Sequence, residues 1–192
     1  MSNENFKRLP NIEVSNAKLI WKNFSGADYN GSNPDHKRKF CLVLENYQMA
    51  QELFEAGWNV KIRPDDKDAH VFMQENFRNF PEKLRYCMEQ GIENQTTYFI
   101  EVFLRFDLDY YPCVIEKYVN DIHSEPVLLS EDEVGLLDRA TILRADVSVR
   151  PKFWKNPSGT KTGITAMLSN MKVLVANDKP AFFDEWGITV EE

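Results

Sequence analysis

Residues 97–106 alternate more strictly than any other stretch of this chain. Tyr98, Ile100, Val102, Leu104 and Phe106 fall on one face, and Phe99, Glu101, Phe103 and Arg105 fall on the other. A period of two marks a strand whose faces meet different surroundings. The apolar face needs a second layer over it. The opposite face, with two phenylalanines and an arginine, either packs against another layer or works at the surface.

The rest of the chain supplies partners for that strand. Residues 12–21 read as a first strand, and residues 39–44 (Lys-Phe-Cys-Leu-Val-Leu) as a core strand. A short helix is expected over 47–56, with Ala50, Leu53 and Phe54 on one face and Gly57 just past its end. Residues 58–63 return to extended structure. Residues 65–95 read as a helical insertion, with Pro81 in a first turn, Leu84 and Met88 on one face, and Gly91 as the stop. Further strands are expected at 112–119, 125–129, 143–150 and 163–175, the last kinked near Ser169 and Asn170. Leu143, Ala145, Val147 and Val149 would share one face. Ser130 and Glu133 have capping-box spacing and start a brief helix carrying Val134 and Leu137.

A small sheet of about five or six strands must hide its edges, and closing into a barrel does so economically. The fold expected is therefore mainly β with short helices (α+β), an OB-fold-like barrel, closed or partly open, with a helical insertion around 65–95. A split or sandwich-like β domain is the competitor. Residues 1–175 are expected to form one domain and residues 176–192 an acidic tail.

The 43% hydrophobic and 28% charged content is that of an ordered globular chain. No segment has the length and apolarity of a membrane span, and the first residues lack the apolar core of a secretory signal. The odd set Cys41, Cys87 and Cys113 has no paired spacing. Cys41 and Cys113 lie in strand-like runs and read as small buried hydrophobes, which suits a reducing cytoplasm.

A net charge of −7 opposes nucleic-acid binding on average, because phosphate neutralisation needs Lys and Arg. The charges are segregated, however. Acids gather at 65–68, 131–133 and in the tail; cations gather at Lys37, Arg38 and Lys39, and again over 150–161. That second stretch holds Arg150, Lys152, Phe153, Trp154, Lys155 and Lys161 among Pro, Gly, Ser and Asn, so it reads as a surface connector. Aromatics beside cations on a connector suit stacking on unpaired bases.

Two more elements have the same character: Trp21, Lys22 and Phe24 running into a loop with Tyr29, and Lys37 to Phe40. Trp21, Phe40 and Trp154 are read either as core or as stacking residues. Phe99, Phe103 and Arg105 either make a second stacking surface or pack beneath the insertion. His36, His70 and His123 have no ligand spacing, and no nucleotide or nucleophile motif occurs. Glu101, Asp107 and Asp109 offer the weak alternative of a metal-dependent nuclease. No cofactor, metal or catalysis is expected. The tail could dock a partner protein or end as a solvated terminus.

Certain runs resemble a known family. They are Asn16-Ala-Lys-Leu-Ile-Trp-Lys-Asn-Phe-Ser-Gly26, Arg38 to Leu44, Gly57-Trp-Asn-Val60, Glu133 to Asp138, Val149-Arg-Pro151 with Trp154, and Gly163 to Leu168. In this order they look like bacteriophage-encoded single-stranded DNA-binding proteins of the OB type. The resemblance implies sequence-tolerant binding of unpaired DNA in phage replication or recombination, inside the bacterial cytoplasm. By similarity Trp21, Asn23, Phe24, Arg38, Phe40, Arg150 and Trp154 occupy motif positions, and residues 65–95 depart from the pattern. The partners expected are single-stranded DNA, replication or recombination proteins through the tail, and a second copy of the chain, with no membrane. The rival reading is an acidic interaction module that inhibits a host DNA-processing factor.

Overall fold

The computed structural model describes residues 9–109 and 111–176, so the acidic tail lies, but for Ala176, outside the described residues. The first strand-like run is broken in two, β1 (Ile12–Val14) and β2 (Leu19–Asn23). Then come β3 (Lys39–Val43), α1 (Tyr47–Glu55), β4 (Val60–Pro64), α2 (Lys67–Asn76), α3 (Phe80–Glu89) and β5 (Thr96–Phe103). The second half holds β6 (Val114–Val119), β7 (Val127–Leu128), β8 (Ile142–Lys155) and β9 (Thr162–Val175).

The strands form one mixed sheet whose main path runs β1-β8-β9-β5-β3-β2. β5 and β9 are parallel, whereas β8–β9, β3–β5, β2–β3 and β1–β8 are antiparallel. β4 lies beside the first half of β5, and β6, with β7 on its edge, runs parallel to the second half of β9. The two ends of the path, β1 and β2, are consecutive pieces of one bent run. Asn16 turns that bend at φ 51°. Next to it the Ala17 amide donates to the Ala145 carbonyl at 2.7 Å, and the Val43 amide donates to the Lys18 carbonyl at 3.0 Å. No ladder joins β1 to β2 among the described residues. The sheet thus returns on itself through the chain without closing into a hydrogen-bonded barrel, a partly open OB-like arrangement.

The inward faces are those that the alternation predicts. Tyr98, Ile100, Val102 and Leu104 are buried with Phe40, Leu42, Val147 and Val149. All three cysteines are buried and free. Burial pushes the Cys41 and Cys113 thiols up to about 11, so both stay protonated at neutral pH. Among the described residues no helix is long and apolar enough to cross a membrane.

Four local expectations need correction. Residues 65–95 hold two helices: α2 starts inside the acidic run, where the Asp66 carboxylate accepts from the Ala69 amide at 2.7 Å and caps it. On α3 the buried row is Phe80, Leu84 and Cys87, while Met88 is exposed. Leu143 is exposed because a register shift between Ile142 and Arg144 rotates it off the core face. Finally, the Ser130 hydroxyl donates to Glu133 at 2.7 Å, and the Glu133 amide turns to the Ser130 carbonyl at 3.2 Å. Only half of the box is formed: Glu133 reaches back to accept from the Ser130 amide at 3.0 Å, and the brief helix that follows, Val134–Asp138, is a 3-10 helix with Val134 and Leu137 buried.

Candidate nucleic-acid interface

The stretch 150–161 is not a connector for most of its length. β8 continues to Lys155 and pairs with β9 down to Lys155–Thr162, making a two-stranded arm. Only residues 156–161 turn, tied by Asn156, whose Oδ1 accepts from the Lys161 amide at 2.9 Å. Pro151 is tolerated because β1 pairs only as far as Val149, leaving that side of β8 as an edge. Alternation therefore governs the arm. Phe153, paired with Ile164, and Trp154, paired with Gly163, project to opposite faces.

Trp154 lies across Gly163 and keeps 45% of its surface exposed. A Cβ on Gly163 would stand 2.6 Å from the indole Cζ2, so the absent side chain is what seats the ring. Lys152 shares this face, and Lys155 and Lys161 flank the turn. None of the three has a carboxylate partner among the described residues. Arg150 instead donates to the Tyr111 carbonyl at 3.1 Å, with its guanidinium 5.9 Å from the Tyr111 ring centroid.

Register carries this face across the sheet. Arg150 is opposite Met167 on β9, Met167 opposite Phe103 on β5, and Phe103 opposite Lys39 on β3. Two grooves meet along that line. One, of about 590 Å³, lies between the arm and loop 24–38 and is lined by Trp154, Lys152, Phe103, Arg105 and Arg38. The other, of about 760 Å³, lies between the sheet and the helical insertion and holds Trp21, Lys39, Phe99 and Glu101.

Trp21 reaches the second groove through an irregular backbone. Residues 21 and 22 stand against Phe40 alone, because the ladder skips from Ile20–Cys41 to Asn23–Lys39. Trp21 itself has φ 45°, a left-handed conformation unusual for an aromatic. Such a bulge re-aims a side chain. Here it sets the indole against Phe99, ring centroids 4.9 Å apart and nearly perpendicular, with the Arg63 guanidinium 5.1 Å from its centroid. Trp21 remains 49% exposed, whereas Phe99 is buried beneath it. Next to them Glu101 accepts from Lys61 at 2.6 Å and from Lys39 at 3.0 Å. Burial pushes the Glu101 carboxyl up, but the two ammonium groups outweigh it and hold the group below its ordinary value.

Loop 24–38 is ordered by internal bonds. The buried Asn33 donates to the carbonyls of Gly26 and Lys37, both at 3.1 Å, and accepts from the Lys37 amide at 3.1 Å. The Asp138 carboxylate accepts from the Phe24 and Ser25 amides at 2.7 and 2.9 Å. Gly26 (φ 71°) has no room for a side chain, since its Cβ would lie 2.5 Å from the His36 carbonyl oxygen. Phe24, expected to contact a ligand, is instead fully buried against Phe40, with centroids 5.7 Å apart. Phe40 is core as well. Lys22 points elsewhere, toward the Leu137 carbonyl at 3.4 Å. Tyr29 is exposed in the loop.

The loop's cations are spoken for. Lys37 pairs with Asp35 at 2.7 Å and Arg38 with Glu131 at 2.7 Å. Arg105 grips Asp107 through Nε at 2.8 Å and Nη2 at 2.9 Å. That hydrogen bond and charge hold Asp107 below its usual range. Glu101 and Asp107 are thus each committed to cations. No cluster of three or more His, Cys, Asp or Glu that could hold a metal occurs among the described residues. Gly163, Asn33, Lys61 and Arg63 were not singled out in the sequence. The alternation Val60, Ile62 inward and Lys61, Arg63 outward was the signal available for the last two.

Among curated proteins nothing matches the chain. Among solved structures it is similar to the single-stranded DNA-binding protein of bacteriophage Enc34, at 12% identity and TM-score 0.40, over 85% of this chain and 80% of that one. The same protein in complex with ssDNA gives 12% identity and TM-score 0.42, over 88% and 95%. Its C-terminal truncation gives 12% and 0.42, over 86% of each. Residues 1–78, which hold β1 to β4, α1 and α2, match the family model described as a putative phage ssDNA-binding domain.

Proposed function

We propose that this chain binds single-stranded DNA without sequence preference and without catalysis, protecting or organising unpaired strands in phage replication or recombination. The observation that carries this reading is the arm: an exposed indole seated on Gly163 beside Lys152, Lys155 and Lys161, above a groove of about 590 Å³. In OB-type folds the face of the second and third strands and the loops bracketing it take oligonucleotides. Here β3 and β5 make that face, loop 24–38 forms one bracket, and the β8–β9 arm forms the other. The match over residues 1–78 supports the same reading.

In this arrangement the lysines hold phosphates while Trp154, Trp21 and Phe103 offer flat surfaces to bases. Each stacked base contributes roughly 1–3 kcal/mol whatever its identity, which gives affinity without sequence preference. Phe153 faces the other side of the arm and joins only if a strand wraps around it. Residues 1–175 act as the binding domain, and tail residues 176–192 dock replication or recombination proteins or a second copy of the chain, all in the host cytoplasm. Titration with an oligothymidylate tests the reading. Tryptophan fluorescence should fall on binding and recover with added salt. A chain whose emission and mobility ignore the oligonucleotide at low salt does not have this function.

A further inference from the structure

The groove under the helical insertion has a cationic wall that the binding face just described does not use. β4 brings Lys61 and Arg63 to its rim, the α2–α3 connection brings Arg78, and the first turn of α3 brings Lys83. Glu101, the acid on the groove floor, is already shared between Lys39 and Lys61. Arg63, Arg78 and Lys83 have no ion-pair partner among the described residues; Lys83 donates only to the neutral Gln74, at 3.3 Å. Three available cations around a single neutralised acid make this groove positive in a chain of net charge −7.

Its position decides what it takes. Lys39 on its floor is the direct cross-strand partner of Phe103 in the arm groove, so the two grooves abut on β5. Trp21, half exposed, stands in this second groove with Arg63 against its ring. A strand that leaves the arm across β5 toward β2 enters this groove directly, and its phosphates meet Arg63, Arg78 and Lys83. We infer that the insertion, residues 65–95, together with β4, forms a second phosphate-binding wall that lengthens the single-stranded DNA path beyond the arm. This rests on the DNA-binding reading above. An acidic peptide would also suit the charges, but it gains nothing from the indole or from continuity with the arm.

The test is the double variant Arg78→Ala/Lys83→Ala in the full chain, with thermal melting to show that it is folded. Arg78 is exposed and Lys83 half-buried, and neither belongs to the buried row of the insertion. Binding is measured with oligothymidylates of about 4 and about 16 nucleotides, the span of single-OB site sizes. Each single-strand phosphate contact contributes about 0.7 to the salt slope, so two lost contacts should flatten it by about 1.4 for the long oligomer. Over a fourfold rise in salt the wild type should then lose about sevenfold more affinity than the variant. The short oligomer, held by the arm, should bind both proteins alike. An unchanged slope with the long oligomer overturns the inference, as does an equal loss at both lengths or tighter capture of a poly-glutamate peptide than of DNA. A wild type that binds neither oligomer removes the underlying function and this wall with it.

Discussion

On the β8–β9 arm, Lys152, Lys155 and Lys161 have no acid partner among the described residues, whereas Lys37, Arg38, Lys39 and Arg105 are each held by a carboxylate. Both regions hold clustered cations as sequence, but Asp35 and Asp107 stand two positions from Lys37 and Arg105, whereas 150–161 contains no acid. In an acidic protein a cation cluster is partly consumed by neighbouring acids. An exposed pair of this kind is worth only about 0–1 kcal/mol, so phosphate can displace it, but with less net gain than a free ammonium offers. The aromatics differ in the same way. Trp154 stands half exposed on the arm and lines the groove, while Phe24 and Phe40 fill the core below loop 24–38.

The largest contrast should come from truncating one aromatic in each region. Phe24→Ala removes a fully buried ring and should cost about 3–5 kcal/mol of stability in urea denaturation, with the folded fraction binding DNA normally. Trp154→Ala should leave stability within about 0.5 kcal/mol but weaken oligothymidylate binding by about 1–3 kcal/mol, roughly 5- to 150-fold. Gly163→Ala sharpens the comparison, because it unseats the indole while keeping every charge; it should reproduce part of the Trp154→Ala loss with an unaltered salt slope. If Phe24→Ala weakens binding as much as Trp154→Ala in fully folded samples, the two regions do not differ as their burial says.

Next in size is the charge contrast. Replacing Lys152, Lys155 and Lys161 by alanine should flatten the salt dependence by about 2, three contacts at roughly 0.7 each. The matching triple at Lys37, Arg38 and Lys39 should flatten it by less than about 1, since those groups already have counter-charges. Equal slopes for the two triples would show that the ion pairs open freely and that pairing in the free protein says little about the bound one.

How much of this was legible follows from the range of each interaction. The inward set of β5 and the kink at Ser169 could be read directly, because alternation and its slip are local. The arm could not. Pro151, lysines and small polar residues have the composition of a loop and of an edge strand alike, and only the pairing with β9 separates them. The Arg38–Glu131 pair spans 93 positions, and Lys39 and Lys61 converge on Glu101 from two strands, so no window along the chain reveals that these cations are occupied. Asn33 carries no signal of its own, because asparagines in loops usually bond their own neighbours. Here its amide bridges both ends of the loop. Trp21 was open between core and surface, and the bulge that turns it outward depends on the register with β3.

The smallest effect, and the one most specific to the sheet floor, belongs to Glu101. Its folded value lies below the ordinary 4.5 because Lys61 and Lys39 outweigh its burial. Folding therefore favours the charged carboxylate, and the stabilisation is fully present above the unfolded value and fades as pH falls through the folded one. Glu101→Gln should cost about 1 kcal/mol at pH 7, and the gap to wild type should close as pH falls below the ordinary carboxylate range. DNA affinity should move the other way. Releasing two ammonium groups onto the groove floor should tighten binding and steepen the salt slope by up to about 1.4. Loss of stability together with stronger binding is an outcome that a purely structural salt bridge would not give. A variant that is destabilised but binds with the wild-type slope would place Lys39 and Lys61 outside the path of the strand.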